Sequence, residues 1–150
     1  MIPYSISKEE VNELPLGQFE GEIYMIDHVD QVEEAVDFLE TQHIIGFDTE
    51  TKPAFKKGQF NHVSLLQLST SEQAFLFRLN KIGFPDPLRN LLEKENLVKI
   101  GAAVHDDLKG LKKLTDSFFP LSFFDLNDEL KKVGFHNVGV RNLSGMVLKI

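Results

Sequence analysis

The chain has 150 residues, of which 42% are hydrophobic and 26% charged, and its formal net charge at pH 7 is −7. These values predict one globular domain with a substantial core, and the absence of cysteine excludes disulfides and thiolate zinc sites. No apolar run approaches the roughly 20 residues of a membrane helix, and the N-terminus lacks the segments of a signal peptide, so we expect a cytoplasmic protein without membrane contact.

The negative charge is concentrated at one end of the sequence. Residues 1–40 hold 11 Asp or Glu and one Lys, a net charge of −10, whereas residues 41–150 hold 12 acids and 15 Lys or Arg, a net charge of +3. The larger part is therefore mildly basic and compatible with a phosphate-bearing partner.

The first half of the chain predicts a helix, a strand, a second helix and then three strands. The first helix begins after Ser7, which stands three residues before Glu10 in a capping-box pattern. The second, over 29–42, has apolar residues at helical spacing and Asp30 as its cap. Strands are expected over residues 21–26, 43–50, 62–70 and 73–79, the last two joined by a hairpin.

The second half alternates helices and strands. A helix over 86–96 is expected to begin with Asp86 as its cap and Pro87 at the first helical position. Further helices are expected over residues 105–114 and 127–134 and from 140 onwards, with strands over 97–104 and 121–126. This order predicts an α/β fold whose mixed sheet has an antiparallel meander at one side and parallel strands at the other.

Two carboxylates end the strand in "IIGFDTETKP", residues 44–53. Asp48 and Glu50 are two positions apart, so in a strand they share a face and repel each other. Such acids can simply face solvent, but ligands of α/β sheets bind beyond the carboxyl ends of strands. Because hard oxygen ligands suit Mg²⁺ or Mn²⁺, the pair predicts a divalent-cation site.

A second acidic group lies in "KIGAAVHDDLKGLKKL", residues 99–114. One of Asp106 and Asp107 is expected to cap the helix that begins here, and His105 to make a local hydrogen bond. The other acid, Asp107, is then free to join Asp48 and Glu50. A cluster of three acids would suit a pair of metal ions, the usual device for phosphoryl transfer.

These segments resemble the motifs of the DEDD 3′–5′ exonucleases, most closely the ribonuclease D and Werner-type domains. Residues 44–70 resemble the first motif, 97–114 the second, and "SFFDLNDELKKVG" the segment after it, so the resemblance covers roughly residues 22–150. It implies a ribonuclease-H-like sheet flanked by helices. It also implies that Asp48 bridges two metals, that Glu50 binds the water-activating metal, and that Asp107 serves the second.

One part of the family pattern is missing. The third motif has a Tyr or His base four residues before a fourth carboxylate, but both tyrosines precede the first motif, and the last acid is Glu129. "NLSGMVLKI" resembles the helix before that motif. We therefore expect a single exonuclease-like domain over 1–150, with residues 1–20 as an arm, that is truncated at its C-terminus. Recruitment of Asp125 or Asp128 as the missing ligand is the rarer possibility.

The resemblance implies a single-stranded or 3′-recessed nucleic acid as substrate. Candidate contacts are Thr49, Thr51, Lys56 and Lys57, the two lysines lying in the loop after Glu50. The leading prediction is a metal-dependent 3′–5′ exonuclease domain that is impaired as this polypeptide. The alternative is a non-catalytic module on the same fold that binds nucleic acid or protein. The sequence leaves open DNA against RNA and the oligomeric state.

Overall fold

A computed structural model describes residues 1–136 and 138–150. Its centre is a six-stranded sheet in the order β1-β4-β3-β2-β5-β6. Strands β2, β3 and β4 form an antiparallel meander, while β1 pairs parallel with β4, and β5 and β6 continue parallel to β2. The strands are β1 Glu22–Ile26, β2 Ile44–Thr51, β3 Val63–Ser69, β4 Gln73–Arg78, β5 Val98–Gly101 and β6 Phe123–Asp125. The predicted mixed sheet is confirmed.

Seven α-helices connect or flank these strands in the described part of the chain. They are α1 Lys8–Glu13, α2 Val32–Glu40, α3 Leu79–Ile82, α4 Asp86–Leu92, α5 Val104–Lys112, α6 Leu126–Lys132 and α7 Val140–Leu143. A 3₁₀ turn, Val29–Gln31, precedes α2, and a π-helical turn, Ser144–Leu148, follows α7. Within the described residues, no helix has both the length and the apolarity needed to cross a membrane.

Most local predictions are confirmed, including the capping box of Ser7 and Glu10. Two caps were wrong. Asp30 lies inside the 3₁₀ turn that precedes α2, and Asp86 is the first residue of α4, whose cap is Pro85. The strand predicted over 97–104 is shorter because the backbone turns at Ala103, which has a φ of 60°. The short helix α3 was not predicted.

The helices α2, α4 and α5 pack on one face of the sheet and form the main core. Because strand side chains alternate between faces, this face receives Ile45 and Phe47 of β2, Leu66 and Leu68 of β3 and Phe77 of β4, all of them buried. A separate small cluster of Val138, Leu143 and Met146, with Ile6, Leu130 and Phe135, joins the N-terminal segment to α6 and α7.

The opposite face of the sheet, which we call the open face, is largely exposed in the described part of the chain. In each strand, the residues that alternate with the core-facing ones lie on this face. Four of them are exposed, namely Ile23, Met25, Ile44 and Phe124. A shallow cavity of about 620 Å³ lies over its middle. Among its lining residues are Phe19 of the arm, Gln67 and Leu76 of the sheet, Val140 of α7, and Asp48.

Candidate metal-dependent active site

The end of β2 carries Asp48, Thr49 and Glu50 in three successive positions. The Thr49 side chain is buried beneath α5, whereas Asp48 and Glu50 are exposed and belong by alternation to the open face. The pairing of β2 with β3 shifts register between Glu50 and Thr51, which marks a bulge. The regular pairing of the two strands is therefore interrupted immediately after the two acids.

The helix α5 brings Asp107 to this strand end. The Oγ1 atom of Thr49 donates a hydrogen bond to Oδ1 of Asp107 at 2.6 Å, which joins the two acidic segments across 58 residues. Gly101 permits the close approach of β5 to β2, because a side-chain Cβ there would lie 2.6 Å from the carbonyl oxygen of Phe47. The second motif is therefore fixed against the first.

Burial raises the pKa of Asp107 above its ordinary value, and the hydrogen bond from Thr49 partly opposes that rise. The negative charges of Asp48, Asp106 and Glu50 raise the pKa further. The acids of β2 are therefore among the groups that raise the pKa of Asp107.

We expect Thr49→Val to raise the pKa of Asp107 further. The substitution keeps the shape but removes the donor that stabilises the carboxylate. A ¹³C NMR titration of the Asp107 carboxyl carbon measures this, with the exposed Asp116 as an internal reference. An unchanged or lowered pKa of Asp107 would show that the hydrogen bond is not formed in solution.

Neither acid at the start of α5 caps the helix, so that prediction was wrong. The cap is Asp125 at the end of β6, whose carboxylate accepts the N–H groups of Ala103 at 3.1 Å and Val104 at 3.0 Å. The same carboxylate accepts the N–H of Asn127 at 2.9 Å and thus also caps α6. Asp106 is exposed, and Asp125 is already engaged by three amides.

We expect Asp125→Ala to lower the free energy of unfolding by about 1–2 kcal/mol, the usual range for a lost helix cap. The loss leaves amides at two helix starts without their acceptor. Urea denaturation compares this variant with Asp116→Ala, an exposed acid outside any helix. Equal stability of both variants would contradict the double cap.

Asp48, Glu50 and Asp107 offer the carboxylate oxygens that Mg²⁺ or Mn²⁺ prefers, but they are not arranged around one metal position. Across residues 1–136 and 138–150, no group of three His, Asp or Glu side chains is placed so as to hold a metal ion. Asp48 and Glu50 share the open face, and Asp107 reaches the strand from α5 with one oxygen held by Thr49. Convergence of the three on one pair of cations stays a prediction.

The predicted substrate contacts fall into two groups. Lys56 and Lys57 are exposed in the loop after β2, together with Phe55 and Phe60. Thr51 lines a separate small cavity beside α5. The hydroxyl of Thr49 is bound to Asp107, and a contact of Thr49 with substrate stays a prediction.

Sequence reasoning missed three residues of this region, namely the cap Asp125, Lys109 of α5, and Lys113, which caps the C-terminal end of α5. Asp125 ends a short strand and directly precedes α6, which is the ordinary position of a cap for that helix. That signal was available for α6. Nothing local indicated that the same carboxylate also caps α5.

A family model described as "3'-5' exonuclease" matches residues 23–138. A protein of Acanthamoeba polyphaga mimivirus, provisionally named a 3′–5′ exonuclease, is 29% identical over 124 residues, which cover 73% of this chain and 29% of the relative. The mouse bifunctional 3′–5′ exonuclease and ATP-dependent helicase WRN is 35% identical over 88 residues, which cover 57% of this chain and 6% of that protein.

The fold has solved neighbours as well. Ribonuclease D of Trypanosoma brucei in complex with RNA U12 superposes with a TM-score of 0.62 at 20% identity, covering 83% of this chain and 41% of the ribonuclease. The chain thus spans less than a third of the length of the two curated relatives and less than half of this solved chain. The match of the family model to most of the chain shows that it belongs to the 3′–5′ exonuclease domain family.

Proposed function

We propose that this domain removes nucleotides from the 3′ end of a nucleic acid in a reaction that depends on Mg²⁺ or Mn²⁺. The observation that carries the proposal is the hydrogen bond from Thr49 to Asp107. It brings the acid of α5 to the strand end that carries Asp48 and Glu50, whose charges Asp107 senses. Asp107 thus lies at the strand end that carries Asp48 and Glu50, and their joint action is part of the proposal.

Asp48, Glu50 and Asp107 would hold the metal ions. Two bound metals supply an activated water and neutralise the charge that develops on the phosphate. The chain itself supplies the negative potential that attracts cations, and Thr49 fixes the orientation of Asp107. The exposed Lys56 and Lys57 offer positive charge to the substrate strand next to these acids.

We propose a single-stranded or 3′-recessed strand as substrate. The exposed lysines of the loop after β2 support a nucleic-acid substrate, because lysine binds phosphates whatever the base sequence. The structural neighbour that holds RNA favours RNA as the first substrate to try.

We further propose that residues 1–150 have little activity by themselves. Residues 130–150 contain no Asp, Glu or Tyr, and no three acids in the described part of the chain form a metal-holding group. Both observations also favour the second candidate, a non-catalytic module that binds nucleic acid.

The test is degradation of 5′-labelled single-stranded RNA and DNA with Mn²⁺ or Mg²⁺ by a version of the chain that carries the missing third motif, with residues 1–150 compared alongside. We expect products shortened one nucleotide at a time from the 3′ end. Asp48→Ala should reduce the rate at least about 100-fold, as for loss of a metal or a general base. The matched control is Asp116→Asn, an exposed acid outside any helix, and it should retain activity within a few-fold.

Two results would refute catalysis by this site. One is shortening that persists in Asp48→Ala. The other is tight oligonucleotide binding without shortening, both by this chain and by a version that carries the missing motif, and this result favours the binding module.

A further inference from the structure

We infer that a cavity between α5 and the loop after β2 is a second phosphate site, which holds the substrate strand upstream of the cleaved bond; the inference rests on the proposed function. The cavity encloses about 330 Å³ and opens to solvent. It is lined by Thr51, Asn61, His62, Val63, Asp106, Lys109, Gly110 and Lys113. We call it the α5 cavity.

The two walls of the α5 cavity are held in place. Asn61 donates hydrogen bonds from Nδ2 to the carbonyl oxygens of Lys52 at 2.9 Å and Pro53 at 3.1 Å, so it closes the base of the loop. Gly110 allows α5 to approach β3, because a Cβ there would lie 2.6 Å from Cγ2 of Val63. The residue after Asn61 is His62, whose position is thereby fixed opposite α5.

The charge of the lining favours an anion. Lys109 of α5 and Lys113 at the C-cap of that helix both line the cavity, and the lining contains a single acid, Asp106. Among the described residues, neither lysine forms an ion pair, whereas Lys94 and Lys132 each do. Unpaired lysines on the wall of a cavity are available to phosphate oxygens, and His62, Thr51 and Asn61 add hydrogen-bonding groups.

The α5 cavity lies near the strand end that carries the acids. Thr51 and Thr49 are two residues apart on β2, and Thr49 binds Asp107. From Asp107 to Lys112, the last residue of α5, the helix rises by about 7.5 Å at about 1.5 Å per residue, and Lys113 follows directly. A phosphate in the cavity and a phosphate at the acids can therefore belong to one strand. The ligand class is thus a nucleic-acid strand that extends beyond its terminal nucleotide.

The loop between β2 and β3 continues the same positive surface. Residues 52–62, which form this loop, contain no Asp or Glu but three lysines, in a protein of net charge −7. The bound nucleic-acid strand is thus expected to run from the acids over this loop and α5, away from the acidic arm.

The test is the salt dependence of binding by the 150-residue chain to labelled oligouridylate in EDTA, where no cleavage occurs. Each phosphate contact with a single strand contributes about −0.7 to the slope of log K against log[salt]. We expect Lys109→Gln/Lys113→Gln to weaken binding about tenfold at low salt and to reduce the slope by about 0.7–1.4. The control, Lys81→Gln/Lys112→Gln, removes equal charge from exposed lysines outside the cavity and should bind within twofold of the parent.

A second arm places a neutral methylphosphonate at each linkage in turn. The parent should lose affinity at one linkage near the 3′ end, and the cavity variant should lose nothing further there. Equal slopes for the cavity and control variants overturn the inference. If a version that carries the missing motif still trims 3′ ends in an Asp48-dependent manner, the proposed function survives that result. If the parent does not bind the oligonucleotide and the version that carries the missing motif does not trim it, both fail.

Discussion

A version of this chain extended through a Tyr-x-x-x-Asp segment is expected to degrade 3′ ends at least about 10²–10⁴-fold faster than residues 1–150. Hydrolysis of a phosphodiester needs a water that is deprotonated and held in line with the leaving oxygen. Loss of a general base alone typically costs that factor. Loss of a metal ligand adds to the cost, because the water-activating ion is held less firmly.

The open face of the sheet is where the carboxylate of the added segment is expected to lie. Asp48 lines the cavity over that face, and exposed apolar residues surround it. A further segment that brings a carboxylate to this face would complete the oxygen ligands of Asp48 and Glu50. The same extension bearing Asp48→Ala is the control for contaminating nuclease. Equal rates for the short and extended chains, both abolished by Asp48→Ala, would refute this account of the missing motif.

Replacing Lys99 by methionine is expected to stabilise the protein at pH 7. Lys99 lies on β5 and is fully buried; its Nζ donates to the carbonyl oxygen of Lys94 at 2.7 Å and lies 5.1 Å from the centroid of the Phe123 ring. No carboxylate in the described part of the chain pairs with it. Burial lowers the pKa of Lys99 from 10.5 to about 8.

The pH dependence has a definite sign. Between pH 8 and 10.5 the unfolded chain holds the proton that the folded chain has released, so stability rises with pH across this window. At pH 7 the buried ammonium therefore costs stability, by roughly 3–4 kcal/mol if each pKa unit is worth about 1.4 kcal/mol. We expect Lys99→Met to recover about 1–2 kcal/mol, because the carbonyl of Lys94 loses its donor.

Urea denaturation at pH 7, 8, 9 and 10 measures this effect. The advantage of Lys99→Met over the parent should shrink steadily across the series. Lys112→Met removes an exposed lysine and should show no such trend. Parallel stability curves for the parent and Lys99→Met would mean that Lys99 is not buried as a titrating amine.

The sequence predicted those parts of the fold that depend on local pattern. Alternation along β2 placed Asp48 and Glu50 on one face, and the capping box of Ser7 and Glu10 was confirmed. Contacts between distant residues were beyond local pattern. The bond from Thr49 to Asp107 depends on how α5 lies on β2. The burial of Lys99 depends on β5 lying between two other strands, and a lysine in an apolar strand gives no local sign of this.

Asp125 links the candidate active site to α6, which carries none of the proposed substrate contacts. One carboxylate holds the amides of Ala103 and Val104 before Asp107 and the amide of Asn127 on another helix. Two helix starts therefore share one anchor and should open together, as a single unit in hydrogen exchange. A substitution near α6 would then loosen Asp107 without touching it. In a screen for lost activity, position 125 would resemble a catalytic residue although its role is mechanical.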